Sequence, residues 1–250
     1  MSGHSKWHSI KHKKAKIDAA RGRVFTKIIK ELTVSARMGG GDPEANPRLR
    51  SALAAAKAAN MPAKNIDNAI KKGTGEMPGV VYEDMVYEGY GPGGVALYIS
   101  AVTDNKNRTV AEVRHLLSKY GGNLGESGSV AWMFDRKGMI TVPRENYTEE
   151  DLMEMVLECG GEDMITEEEY YIIYTSYEDF NQIRSHLEEK SIIIEEAQIS
   201  MIPQTTVNLE GKSAEQMMKL MDILDEHDDV QNVFANFDIE DSELERILDE

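Results

Sequence analysis

The sequence predicts an α+β protein of three domains: an N-terminal basic helical bundle and two ferredoxin-like α+β domains, one inserted into the other. Three observations carry this. Charge divides sharply along the chain. Residues 1–72 hold 16 Lys and Arg against 5 Asp and Glu, while residues 73–250 hold 12 against 39, within a total of -16. Apolar spacing is helical up to residue 72 and then changes to the alternation of strands. From residue 95 the order of elements runs as a β-α-β half, a complete βαββαβ set, and a second β-α-β half. Two split halves make one such domain.

The basic end comes first. Residues 1–20 show no clean helical period, and charge and small residues dominate, which predicts an arm that orders on binding. A helix is expected from Val24, because Phe25, Ile28, Ile29, Leu32 and Ala36 form one apolar stripe. Gly39-Gly40-Gly41 ends it. Asn46 is an N-cap and Pro47 a first helical residue for a second helix, Pro47–Asn60, packing through Leu49, Leu53 and Ala56. Pro62 opens a third helix through Ile66 and Ile70, and Gly73 is read as its stop. Residues 73–80 are a Gly/Pro-rich linker. The first domain is therefore set at 1–78.

Strands are expected at Met85–Tyr90 and Val95–Val102, joined by the turn Gly91-Pro92-Gly93-Gly94. Thr109–Tyr120 reads as a helix with Val110, Val113, Leu116 and Leu117 inward, and Asn107 or Thr109 can cap it. Ser129–Phe134 reads as a strand. Met139–Val142, Thr148–Cys159, Asp163–Ile165, Tyr170–Thr175, Tyr177–Lys190 and Ala197–Ile202 supply the complete set. Thr205–Leu209, Ser213–His227 and Val230–Phe237 supply the closing half, followed by an acidic helical tail. The expected boundaries are 79–134 plus 204–250 for the discontinuous domain and 135–203 for the inserted one. Two consecutive domains cut near residue 150 would leave odd strand counts on each side.

The chemistry points to a polyanion. Lys6, Lys11, Lys13, Lys14, Lys16, Arg21, Arg23 and Lys27 crowd the first thirty residues, against the single acid Asp18. Cations at this density contact several phosphates and release counterions. Trp7 can stack on an unpaired base, and His8 and His12 add polar contacts. Lys64, Lys71 and Lys72 extend the basic surface onto the third helix. Asn105, Lys106, Asn107 and Arg108 form a secondary contact loop at a helix N-terminus, where anions are favoured.

Other chemistries lack their parts. His4, His8 and His12 lie four apart, but no cysteine or carboxylate completes a metal set. Gly89–Gly94 is followed by a strand, not a helix, so it is a hairpin turn and not a phosphate loop. Cys159, the one cysteine, has no base near it in sequence and no disulfide partner, which fits a reducing compartment. No cofactor motif, secretory signal or membrane span is seen. The expectation is a non-enzymatic, cytoplasmic protein without metal or cofactor, a monomer or weak dimer whose oligomeric state the sequence leaves open. The inserted region, with 18 acids against 5 cations, should turn away from a polyanion or meet a basic protein.

Long motifs also resemble a known family. SGHSKWHSIKHKKAKIDAARGRVFTKI, YEGYGPGGVA, TDNKNRTVAEVR and KYGGNLGESGSVAWMF are similar to the YebC/PmpR family. Its mitochondrial relatives are known as translational activators of cytochrome c oxidase. The resemblance runs from Met1 to about Phe237. It implies an N-terminal helical domain and two ferredoxin-like ones, and no catalytic residues. It implies a DNA-binding transcriptional regulator; the alternative, drawn from other members, is a ribosome-associated factor that binds rRNA or tRNA and aids synthesis of proline-rich stretches. With no presequence before the first motif, the bacterial, cytosolic branch is expected.

Overall fold

The apolar stripe of the first helix seeds the N-terminal domain. A computed structural model describes residues 19–249, in which helix α1 spans Ala19–Gly39 and is already helical five residues before Val24. Leu32 and Ala36 are buried on its inner face, with Phe25, Ile28 and Ile29 packed around them. Helix α2 (Pro47–Ala58) starts as predicted. Asn46 Oδ1 accepts from the Leu49 N–H at 3.1 Å, and Asn46 Nδ2 donates to the carbonyls of Ser35 and Gly40, both at 2.8 Å. One buried side chain thus caps α2 and ties it to the end of α1.

Helix α3 (Ala63–Thr74) corrects one expectation. Gly73 lies inside it, and the stop is Gly75, at φ 83°. A Cβ on Gly73 would sit 2.4 Å from the Thr33 carbonyl oxygen and 2.8 Å from the Ala36 Cβ. Glycine is used there so that α3 can press against α1, not to break the helix. Leu49, Ala52, Ala56, Met61 and Ala69 complete the core, small enough for the helices to approach closely.

The first sheet begins with β1 (Glu83–Tyr90) and β2 (Ala96–Thr103), paired antiparallel across a short turn at Pro92–Gly94. Helix α4 (Lys106–Lys119) follows, then the two-residue strand β3 (Asn123–Leu124) on the outer edge of β1. The expected strand at 129–134 is instead a turn and one 3-10 turn, Ala131–Met133. The cause is non-local. The Glu88 carboxylate accepts from the N–H groups of Gly128 (2.6 Å), Val130 (2.8 Å) and Ala131 (2.7 Å), donors that a strand would give to a neighbour.

Residues 134–204 form a compact unit of their own. Its elements are β4 (Phe134–Pro143), α5 (Glu149–Glu158), β5 (Asp163–Thr166), β6 (Tyr170–Ser176), α6 (Phe180–Glu189) and β7 (Glu196–Pro203). The strand order β5-β6-β4-β7, with every neighbour antiparallel, is the ferredoxin-like βαββαβ arrangement. Thr148 caps α5 as predicted, accepting from the Asp151 N–H. Ile140, Val142, Leu152, Val156, Ile173 and Leu187 fill its core.

The chain then returns to the first unit. Strand β8 is only Val207–Asn208, and it pairs in parallel with β10 (Phe237–Asp238), outside the main sheet. Helix α7 (Gly211–Glu226) leads into β9 (Val230–Ala235), which pairs with β2. The first sheet therefore reads β3-β1-β2-β9, with one strand from the closing segment instead of the two expected. Val113 and Leu117 of α4 and Met217, Leu220, Met221 and Leu224 of α7 cover one face of it. The last helix, α8 (Asp241–Asp249), adds Leu244 and Ile247 to that core. The whole is α+β, a ferredoxin-like unit interrupting another α+β unit.

Candidate nucleic-acid interface

The predicted site residues divide by location. Lys6, Trp7, His8, Lys11, His12, Lys13, Lys14 and Lys16 lie outside the described residues, and Arg21 is placed only as backbone of α1. From Arg23 onward the side chains are defined. Arg23, Lys27 and Lys30 are spaced i, i+4, i+7, so they share one stripe of α1. That stripe faces the C-terminal end of α7. Arg23 Nη2 pairs with Glu226 at 3.0 Å, and Lys27 Nζ donates to the Asp225 carbonyl at 2.5 Å with its carboxylate 3.6 Å away. Lys30 Nζ donates to Asp229 Oδ1 at 2.5 Å and to the Asp228 carbonyl at 2.8 Å. Cations at a helix C-terminus meet its unsatisfied carbonyls and negative dipole end. Lys27 is thus engaged within the fold.

Asp229 is the centre of a wider cluster. Its Oδ2 accepts from Thr109 Oγ1 (2.6 Å), Arg108 Nη2 (2.7 Å) and Thr103 Oγ1 (3.2 Å). Burial alone would push this carboxyl up. The hydrogen bonds from Lys30, Thr109 and Arg108 outweigh that and hold it well below the usual carboxylate range. The Arg108 guanidinium is raised in turn, by its hydrogen bonds to Asp229 and Asp104. Sequence reasoning missed Asp229. In one dimension it is the last acid of DEHDD, and only the i, i+4, i+7 spacing of the α1 cations hints that acids must meet them.

The loop before α4 is also resolved. The cap is Asn105, whose side chain accepts from the Arg108 N–H at 3.1 Å; Asn107 and Thr109, the two expected candidates, lie within the helix. An extended residue before the first turn has the geometry to cap, and Thr109 instead turns its hydroxyl to Asp229. Lys106 Nζ pairs with Glu83 at 2.6 Å, and Asn107 is exposed. Of this loop, Arg108 is joined to the N-terminal domain through the Asp229 carboxylate.

Glu112, His227 and Asp229 lie close enough together to hold a metal ion. Their hydrogen bonds use the donor atoms otherwise. His227 Nδ1 accepts from the Asp229 N–H at 3.1 Å, so Nε2 carries the proton and faces Glu112 at 3.0 Å. Asp229 already faces two cations. The set is a satisfied polar cluster.

The outer faces of α2 and α3 carry the remaining basic residues. Lys57, Lys64 and Lys72 are exposed, and Lys71 pairs with Asp67 one turn before it at 2.8 Å. Lys64, Asn68, Lys71 and Lys72 follow one stripe opposite Ile66, Ala69 and Ile70. The arginines are occupied. Arg48 forks onto Glu31 and Asp84, Arg37 donates to the Tyr82 carbonyl, and Arg50 donates to those of Pro43 and Glu44. Among the described residues no helix is long and apolar enough to cross a membrane.

Known proteins share this arrangement. Residues 5–76 match the domain described as "TACO1/YebC protein N-terminal domain", and residues 82–237 match "TACO1/YebC second and third domain". A protein of Desulforapulum autotrophicum, named a "Probable transcriptional regulatory protein", is 57% identical over 241 residues, 96% of this chain and 98% of its own. One of the same name from Geobacter sulfurreducens is 56% identical over 248 residues, 99% of this chain and 100% of its own. The crystal structure of the conserved hypothetical protein Aq1575 from Aquifex aeolicus superposes with a TM-score of 0.86 at 51% identity, over 93% of this chain and 96% of its own.

Proposed function

This chain belongs to the TACO1/YebC family, and we propose that it is a non-enzymatic regulatory protein of the cytoplasm that binds DNA through its basic arm and helical domain. The observation that carries this is the division of charge, 16 cations against 5 acids up to residue 72 and 12 against 39 beyond it. Such a polarity steers one end onto a polyanion and holds the other away. The names of the relatives support a regulatory role. No cofactor enters the reading.

The test is charge reversal. Replacing Lys11, Lys13, Lys14 and Lys16 with Glu should abolish the gel shift of duplex DNA; an unchanged shift would remove the arm from the binding element. A second reading, binding of rRNA or tRNA on the ribosome, is favoured by the 18 acids of the inserted region, which a long bare duplex would repel. Sequencing nucleic acid crosslinked in cells separates the two. Discrete promoter DNA supports the first, and ribosomal or transfer RNA supports the second.

A further inference from the structure

We infer that the helical domain grips the sugar-phosphate backbone of a duplex and does not read its base edges. This rests on the proposed nucleic-acid reading and deepens it. Sequence readout in the major groove is dominated by arginine forks on guanine, with Asn or Gln on adenine. Each arginine of this domain whose side chain is described is already held by a protein acceptor: Arg23 by Glu226, Arg37 by the Tyr82 carbonyl, Arg48 by Glu31 and Asp84, Arg50 by two carbonyls of the turn before α2. Both faces of the Arg48 guanidinium are spent on carboxylates, so redirecting it to a base would leave Glu31 and Asp84 unpaired. The cations left on the outer faces are lysines, Lys57, Lys64 and Lys72, none with a hydrogen-bond or ion-pair partner among the described residues. A lysine ammonium is a flexible point charge suited to phosphate and poor at telling bases apart.

The α2–α3 segment fits the same conclusion. Both helices bury their apolar residues against α1, and α3 uses Gly73 to sit within van der Waals range of it. The outer stripe of α3 is Lys64, Asn68, Lys71 and Lys72. Only Asn65 and Asn68 on that helix have the paired donor and acceptor an adenine edge requires. They belong in the test as the two residues able to contradict the inference.

The experiment uses the full chain with two unrelated 30-base-pair DNA duplexes of equal base composition and an RNA duplex of the same length. Affinities are measured across a salt series. The two DNA sequences should bind within about threefold of one another. Lys57→Ala/Lys64→Ala/Lys72→Ala should weaken both equally and lower the salt slope by up to about three, roughly one per phosphate contact. Asn65→Ala/Asn68→Ala should leave both affinities within about twofold. Lys57, Lys64, Asn65 and Lys72 are exposed and Asn68 is half-buried, so folding should be kept, and circular dichroism checks this. A preference above about tenfold for one DNA sequence, or a preference abolished by the asparagine variant, overturns the inference while leaving nucleic-acid binding intact. Absence of binding to every duplex at low salt overturns the proposed function itself, and this inference with it. Comparing the RNA and DNA duplexes identifies which backbone is preferred.

Discussion

Lys30 Nζ lies 2.5 Å from Asp229 Oδ1, with side-chain exposures of 8% and 3%. An ion pair so buried contributes little net stability as a pair, because desolvation offsets most of the attraction. Removing Asp229 strands the Lys30 ammonium, at about 3–5 kcal/mol, whereas removing Lys30 leaves Asp229 still paired with Arg108 at 2.7 Å. Asp229→Asn should cost that much in urea denaturation, and Lys30→Met clearly less, because Arg108 and Thr109 still hold the Asp229 carboxylate. The double variant should cost clearly less than the sum of the two, since neither charge is then left alone.

The same carboxylate sets an acid limb. Its folded value lies below that of the unfolded chain, about 3.9, so between the two the unfolded state binds the extra proton. The stability it supplies is complete above about pH 4 and is lost as pH falls through the folded value. Urea midpoints of the parent protein should therefore drop from pH 5 to pH 2 more steeply than those of Asp229→Asn, which has no carboxyl to titrate there.

Glu88 holds a loop through three backbone N–H groups. Burial would raise its carboxyl, but those hydrogen bonds keep it below the ordinary value. Glu88→Gln loses the charge and can accept through one oxygen only, so about 1–3 kcal/mol should be lost. Residues 125–131 should become newly susceptible to limited proteolysis. The emission of Trp132, whose indole N–H donates to the Ser129 carbonyl at 3.1 Å, should shift in a Trp7→Phe background.

Gly73→Ala should destabilise the helical domain although alanine is the better helix former. The added methyl meets the Thr33 carbonyl oxygen at 2.4 Å, and overpacking of this kind costs about 1–3 kcal/mol. At Gly75, φ 83°, alanine meets no atom within 4 Å and pays only for the left-handed backbone, about 1–2 kcal/mol. A thermal melt of each variant checks the order, and the loss at Gly73 should reach the larger value.

What the sequence made legible was local. The stripe Phe25–Ala36, the Asn46 cap and the Thr148 cap depend on residues a few positions apart, and each was placed from spacing alone. The misreadings came from distant partners. SVAWMF alternates like a strand, but Glu88, forty residues earlier, takes its N–H groups. Gly73 sits where a helix stop would, yet its missing side chain is required by Thr33 on another helix. Val207–Asn208 is extended as expected but finds its partner in Phe237–Asp238 and not in the main sheet. The candidate site follows the same division. Its charge was plain from composition, whereas the commitment of Arg23, Lys27 and Arg108 to acids at 225–229 required the folded chain.

The inserted unit begins at Phe134 and ends near Pro203, and these two residues are register partners across β4 and β7. Entrance and exit are therefore neighbouring rungs of one ladder. A stretch of seventy residues departs and returns through a gap that a short hairpin could close. The acidic module is in this sense a cassette, whose entry and exit are a single register pair.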